Sequence, residues 1–179
     1  MKAVARACVA VVVVWSLAAT VRAQESKSAP LAKQLAAALD AAKLDSAAAI
    51  DPSNAGVFIA ALYFPGQLLV VSAKYAAPVL LNDRLSKKEY RDIYLDLNSA
   101  SVPGTKTFIE DPGADGLKAK VAEGQPYDTY ELAGKRTLFD SQWSKQRLSE
   151  DDYMKAFLTA DERYSQLLTA LLAQLKKTS

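Results

Sequence analysis

The chain contains no histidine and only one cysteine, Cys8, among its 179 residues. Without histidine there is no Ser–His pair and none of the usual zinc sites. Acid–base work falls to Asp, Glu, Lys or Tyr. Cys8 lies in a segment, Met1 to Ala23, that reads as a cleavable secretory signal. Lys2 and Arg6 give the positive start, and Ala7 to Ala19 the apolar stretch with its run of Val11, Val12, Val13 and Val14. Val21-Arg22-Ala23 has the small-x-small form of a cleavage site, followed by Gln24. An N-terminal membrane anchor is the alternative. Against it, the apolar run is shorter than the roughly 20 residues of a spanning helix, and Arg22 closes it. Ala5-Arg6-Ala7 ahead of Cys8 makes a poor lipoprotein box. Cleavage leaves roughly 156 residues, a length suited to one domain with one core. That part has no cysteine, forms no disulfide, and depends on packing for its stability.

An excess of charge of one sign is also missing. Lys and Arg number 22 against 20 Asp and Glu, and the signal segment takes Lys2, Arg6 and Arg22 with it. The nearly neutral remainder carries no electrostatic footprint for nucleic acid. No later apolar run is long enough to cross a membrane, so the expected location is the periplasm or the medium.

What is present is an ordered series of helical and strand patterns. Ala29 to Leu44 reads as a helix, with Ser28 as its cap, Pro30 in the first turn, and Leu31, Leu35, Leu39 and Ala42 on one face. After the turn formers Asp51 to Gly56 come two apolar runs, Val57 to Phe64 and Leu68 to Ser72. Pro65-Gly66-Gln67 separates them, which predicts a hairpin covered on both faces. Ala77 to Leu85 reads as a short middle helix. Ile93 to Asn98 alternates as a half-exposed strand, with Lys106 to Glu110 as its hairpin partner. Asp111 to Gly116 is the strongest loop signal, Leu117 to Val121 a short strand, and Thr129–Leu132 with Arg136–Phe139 a third hairpin turning at Ala133-Gly134. A long C-terminal helix follows Ser149, whose spacing to Asp152 makes a capping box. Glu150, Asp151 and Asp152 suit its positive end, Lys176 and Lys177 its negative end. Tyr153, Phe157, Tyr164, Leu168, Leu171 and Leu175 form its apolar stripe. The order predicts an α+β fold with a mostly antiparallel sheet. The sheet is expected either as a small, partly closed barrel flanked by helices or flat with helices on one face.

Four sets of residues could carry chemistry. Ser72, Lys74 and Tyr75 end the second core strand, and Arg84 follows; a hydroxyl and two cations there suit a phosphate or carboxylate. The run from Leu31 to about Asn98 resembles the flavin-binding split-barrel family typified by pyridoxamine phosphate oxidase. The likeness lies in its leading helix, apolar hairpin, Ser72-x-Lys74 segment, helix and further strand. That resemblance implies a split barrel with FMN and redox activity, with Ser72 and Lys74 near the flavin phosphate and Arg84 less closely tied to it. Val57 to Phe64 lacks the strand Arg that the family usually places there. The phrases Tyr90-Arg91-Asp92-Ile93-Tyr94-Leu95-Asp96-Leu97 and Gly113-Ala114-Asp115-Gly116-Leu117 are similar to uncharacterised exported bacterial proteins, which implies no activity.

The second set is Glu110, Asp111 and Asp115 among glycines. Asp111 and Asp115 are the candidate cation ligands, set against the turn geometry that Asp and Gly also serve. The third is the acidic set Asp92, Asp96, Glu110 and Asp128, a source of paired carboxylates if folding brings two together. The fourth is the aromatic set Tyr90, Tyr94, Tyr127, Tyr130 and Trp143, expected at the edge of a core beneath the C-terminal helix. The expected function is that of an exported, non-catalytic domain binding a small ligand or a protein partner. A flavin-binding redox protein is the alternative.

Overall fold

The computed structural model describes residues 26–42, 57–64, 68–76, 80–85, 90–96 and 107–178. The expected signal segment and the turn formers at 51–56 lie outside them. The described chain is an α+β fold of eight strands and two helices: α1 (Ser28–Ala42), β1 (Val57–Phe64), β2 (Leu68–Tyr75), β3 (Leu80–Leu81), β4 (Arg84–Leu85), β5 (Tyr90–Asp96), β6 (Thr107–Pro112), β7 (Thr129–Leu132), β8 (Lys135–Leu138) and α2 (Glu150–Thr178).

Six strands form one antiparallel sheet in the order β1-β2-β5-β6-β7-β8, and β3-β4 forms a separate two-stranded unit. This is a meander interrupted once, with β1 and β8 at its ends. Ser72 lies opposite Ile93, and Ile93 opposite Asp111; Val70 lies opposite Leu95, Leu95 opposite Ile109, and Ile109 opposite Tyr130. Directly opposed residues share a face. One face therefore presents Ala60, Val70, Ile93, Ile109 and Tyr130 to the core, where they meet Ala32, Leu35 and Leu39 of α1 and Tyr153, Phe157, Ala160, Tyr164, Leu168 and Leu171 of α2. The helices thus form a layer on one face of the sheet.

Local chemistry explains these elements. In α1 the buried residues are Ser28, Ala32, Leu35 and Leu39, so the inward stripe passes through Ala32, while Ala42 is exposed. The hydroxyl of Ser149 accepts from the Asp152 amide at 3.1 Å, the N-cap half of the predicted capping box, and donates to the Asp152 carboxylate at 2.7 Å at the start of α2. Ala133 (φ 50) and Gly134 (φ 80) form the left-handed pair that a tight two-residue hairpin requires. No described helix is long and apolar enough to cross a membrane.

Two expected elements are corrected. Instead of a middle helix over Ala77 to Leu85, the described part of this stretch is the β3–β4 hairpin, turning at Asn82 (φ 50) and Asp83 (φ 59). Asn and Asp tolerate this backbone region, which no helix can pass through. Leu117 to Val121 is not a strand. Side chains take its amides: Leu117 donates to Ser28 Oγ at 2.9 Å, Lys118 to Asp128 Oδ2 at 2.6 Å and Val121 to Ser141 Oγ at 3.0 Å. The three predicted hairpins, β1–β2, β5–β6 and β7–β8, are formed, with β5–β6 at the centre of the sheet.

Candidate functional site

The residues singled out at the end of β2 do not converge. Ser72 is fully buried on the helix-covered face, and its Oγ accepts from the guanidinium of Arg91 at 2.8 Å. Arg91 also donates to Asp40 of α1 at 2.6 Å, and Lys74 reaches the same carboxylate oxygen at 3.4 Å. Burial resists ionisation of Asp40, but Arg91 and Lys74 outweigh it and lower the carboxyl's pKa. Ser72 and Lys74 thus join the α1–sheet contact. Tyr75, one residue on, faces the opposite side. Arg84 stands on the β3–β4 hairpin, where it donates to the Gln125 carbonyl at 2.6 Å and lies 4.9 Å over the Tyr127 ring.

Asp111 and Asp115 belong to a buried junction between α1, the loop after β6 and α2. Asp111 accepts from the Gly116 amide at 3.0 Å, the Asp115 amide at 3.3 Å and the Tyr164 hydroxyl at 2.9 Å. Burial raises the pKa of Asp111, and burial with the neighbouring Asp111 charge raises that of Asp128. Asp115 pairs with Lys118. Among the described residues no group of three or more carboxylates is arranged to hold a metal ion. The oxygens of Asp111 organise the loop instead. At the same junction Asp161 of α2 accepts from Ser26 Oγ at 2.7 Å, the Lys27 amide at 2.7 Å, the Ser28 amide at 3.0 Å and Ser28 Oγ at 2.5 Å. A carboxylate from α2 therefore caps α1 at the positive end of its dipole.

The face of the sheet away from the helices carries the second acid–tyrosine group. Alternation along β5 predicts a solvated face, yet Asp92 is fully buried there. Its carboxylate accepts from the Tyr94 hydroxyl at 3.1 Å and the Gly113 amide at 3.4 Å. Burial pushes the Asp92 carboxyl up to about 7, and burial also raises Tyr94, Tyr75 and Glu110. Tyr94 stacks at a tilt on Phe108, 6.3 Å between centroids. The aromatic set is therefore divided. Tyr130 and Trp143 belong with α2, Trp143 lying 5.7 Å from Tyr153, whereas Tyr94 occupies the opposite face and Tyr127 the contact with Arg84. The side chains of Tyr90 and Asp96 lie outside the described ones.

A cleft opens between the β7–β8 hairpin and the first half of α2, with a volume of about 480 Å³. Tyr130, Leu132, Leu148 and Ala156 supply apolar surface, Thr137 and Thr159 hydroxyls, and Lys135, Lys155 and Asp152 charge. Leu132 is 42% exposed at its margin, an apolar side chain left partly in water. Lys135 and Lys155 make no ion pair among the described residues. The carboxylate of Asp152 accepts from Ser149 in the capping box.

Sequence reasoning missed this cleft. On α2, Asp152, Lys155, Ala156 and Thr159 recur at helical spacing beside the buried stripe, and Leu132 and Lys135 flank the Ala-Gly turn. Neither pattern says that the two meet. No protein-family profile, curated protein or solved structure matches the chain.

Proposed function

We propose that this protein is an exported, non-catalytic domain that binds a small ligand in the cleft between the β7–β8 hairpin and α2. The cleft carries the reading. Its volume of about 480 Å³ lies in the lower half of the roughly 300–1,000 Å³ of small-ligand pockets, and an apolar floor with few charged groups is their usual composition. The buried carboxylates elsewhere support a non-catalytic reading. Asp111, Asp128 and Asp161 accept hydrogen bonds from backbone amides that fix loops and helix ends, which is structural work.

A fragment screen by thermal shift on the mature chain tests the proposal, with Thr159→Trp as the blocking variant. Thr159 is exposed, so the substitution fills the cleft without entering the core. Fragments that stabilise the parent chain and not the variant support the reading. Fragments that stabilise both equally place the ligand elsewhere and refute it. Flavin titration separates the redox alternative, because FMN held by Ser72 and Lys74 would bind both forms alike. Terminal sequencing of the exported protein tests the address; a mature start at Gln24 is expected.

A further inference from the structure

We infer that the ligand of this cleft is an anionic amphiphile: an acidic head on a hydrocarbon tail. The inference rests on the cleft reading and deepens it. Tyr130, Leu132, Leu148 and Ala156 form an apolar surface, and the aliphatic stems of Lys135 and Lys155 extend it toward the rim. Among the apolar lining residues Leu132 gains most from a tail laid over it, because 42% of it is otherwise exposed. One strand residue and one helix residue then bring an ammonium each to the same cleft. The opposing charge is Asp152, whose Oδ2 is already hydrogen-bonded to Ser149. Positive charge therefore outnumbers negative at the lining, and neither ammonium is neutralised among the described residues.

A second occupant suits a groove between an edge strand and a helix, namely an extended peptide added as a further strand. The edge of β8 argues against it. The Leu138 amide donates to Gln146 Oε1 at 2.9 Å, and Gln146 Nε2 donates to the Leu138 carbonyl at 2.6 Å. The carboxamide of Gln146 thus occupies the place of a neighbouring strand. Leu138 turns its backbone groups away from β7, and alternation gives Arg136 the same orientation. Within β8 only the Arg136 amide and carbonyl face outward unsealed, too few for strand addition. A short amphiphile needs none of these groups.

The test is calorimetric titration of the mature chain with decanoate, decyltrimethylammonium and decyl maltoside, each below its micelle concentration. Decanoate is expected to bind most tightly. Its affinity should fall roughly ten-fold in the Lys135→Glu, Lys155→Glu double variant and vanish in Thr159→Trp. The charge-neutral pair Lys135→Gln, Lys155→Gln is expected to fall between parent and reversal, and melting curves check that each variant is folded. Equal binding of all three compounds, lost in Thr159→Trp, would overturn the anionic class while leaving the cleft as the site. Decanoate binding that survives Thr159→Trp would overturn both. Absence of binding by any decyl compound, with fragments still held in the cleft, would overturn the amphiphile class alone.

Discussion

Replacing Gly116 with alanine probes the buried junction where the loop after β6 crosses the first turn of α1. Gly116 has φ +86, and a Cβ built there would lie 2.3 Å from Ala29 Cα, 2.4 Å from Ala29 N and 2.8 Å from Ser28 C. All three neighbours are backbone atoms, so no side-chain rotation relieves the contact. A left-handed backbone costs a non-glycine residue about 1–2 kcal/mol, and forced overpacking adds about 1–3 kcal/mol. The expected loss is therefore about 3–4 kcal/mol, a large part of the 5–15 kcal/mol that holds an ordinary domain together, roughly speaking. Gly134 supplies the control. It has φ +80, but nothing lies within 4 Å of the Cβ position, so Gly134→Ala is expected to lose only about 1–2 kcal/mol. Urea unfolding of the two variants, followed by circular dichroism, isolates the close approach as their difference. Equal losses would refute the packing of this loop on α1. With it would go the network in which Ser28 Oγ accepts from Leu117 and donates to Asp161.

Three further outcomes are expected. Phe157 is 3% exposed and meets Phe139 edge-on at 5.5 Å, so Phe157→Ala should cost about 3–5 kcal/mol in denaturant titration; an unchanged midpoint would mean that α2 does not cover the sheet. Asp92 is held at about 7 against 3.8 for the free group, so the folded state binds its proton more tightly than the unfolded chain does. That stabilisation is complete below about pH 4 and is lost as pH rises through about 7. By calorimetry the fall in melting temperature from pH 5 to pH 8 should be smaller in Asp92→Asn than in the parent by roughly 5–10 °C, the remaining fall belonging to the other raised carboxyls such as Asp111; an Asp92→Asn drop equal to the parent's would contradict the assignment. Gln146→Ala removes both hydrogen bonds that seal Leu138, and light scattering should show more self-association than in the parent; unchanged scattering would mean that the edge needs no seal.

The legible parts of this chain are those whose chemistry is local. Val57 to Phe64, an unbroken apolar run between turn formers, is β1 at its full predicted length. Ser149 and Asp152 mark the start of α2 because a capping box needs only residues three apart. What escaped the sequence depends on distant partners. The loop at Leu117 and Lys118 has strand-like composition, but its amides are claimed by Ser28 and by Asp128. Ser28 reads as a helix cap, yet the capping carboxylate comes from Asp161, 133 residues away. Asn82 and Asp83 allowed a helical reading by spacing, and their left-handed angles became visible only in the fold. Ser72 and Lys74 looked like a ligand pair because neither Arg91 nor Asp40 could be assigned to them from spacing. The cleft was the least legible feature, since its two walls are 20 or so residues apart and meet only through packing.

Amide correlation spectra of the labelled chain from Gln24 onward, titrated with decanoate, test the central claim most directly. Progressive shifts are expected, confined to the cleft at Tyr130, Leu132, Lys135, Leu148, Lys155, Ala156 and Thr159. Shifts centred instead on Tyr75, Asp92 and Tyr94, or on Ser72 and Lys74, would place binding on another surface and contradict it.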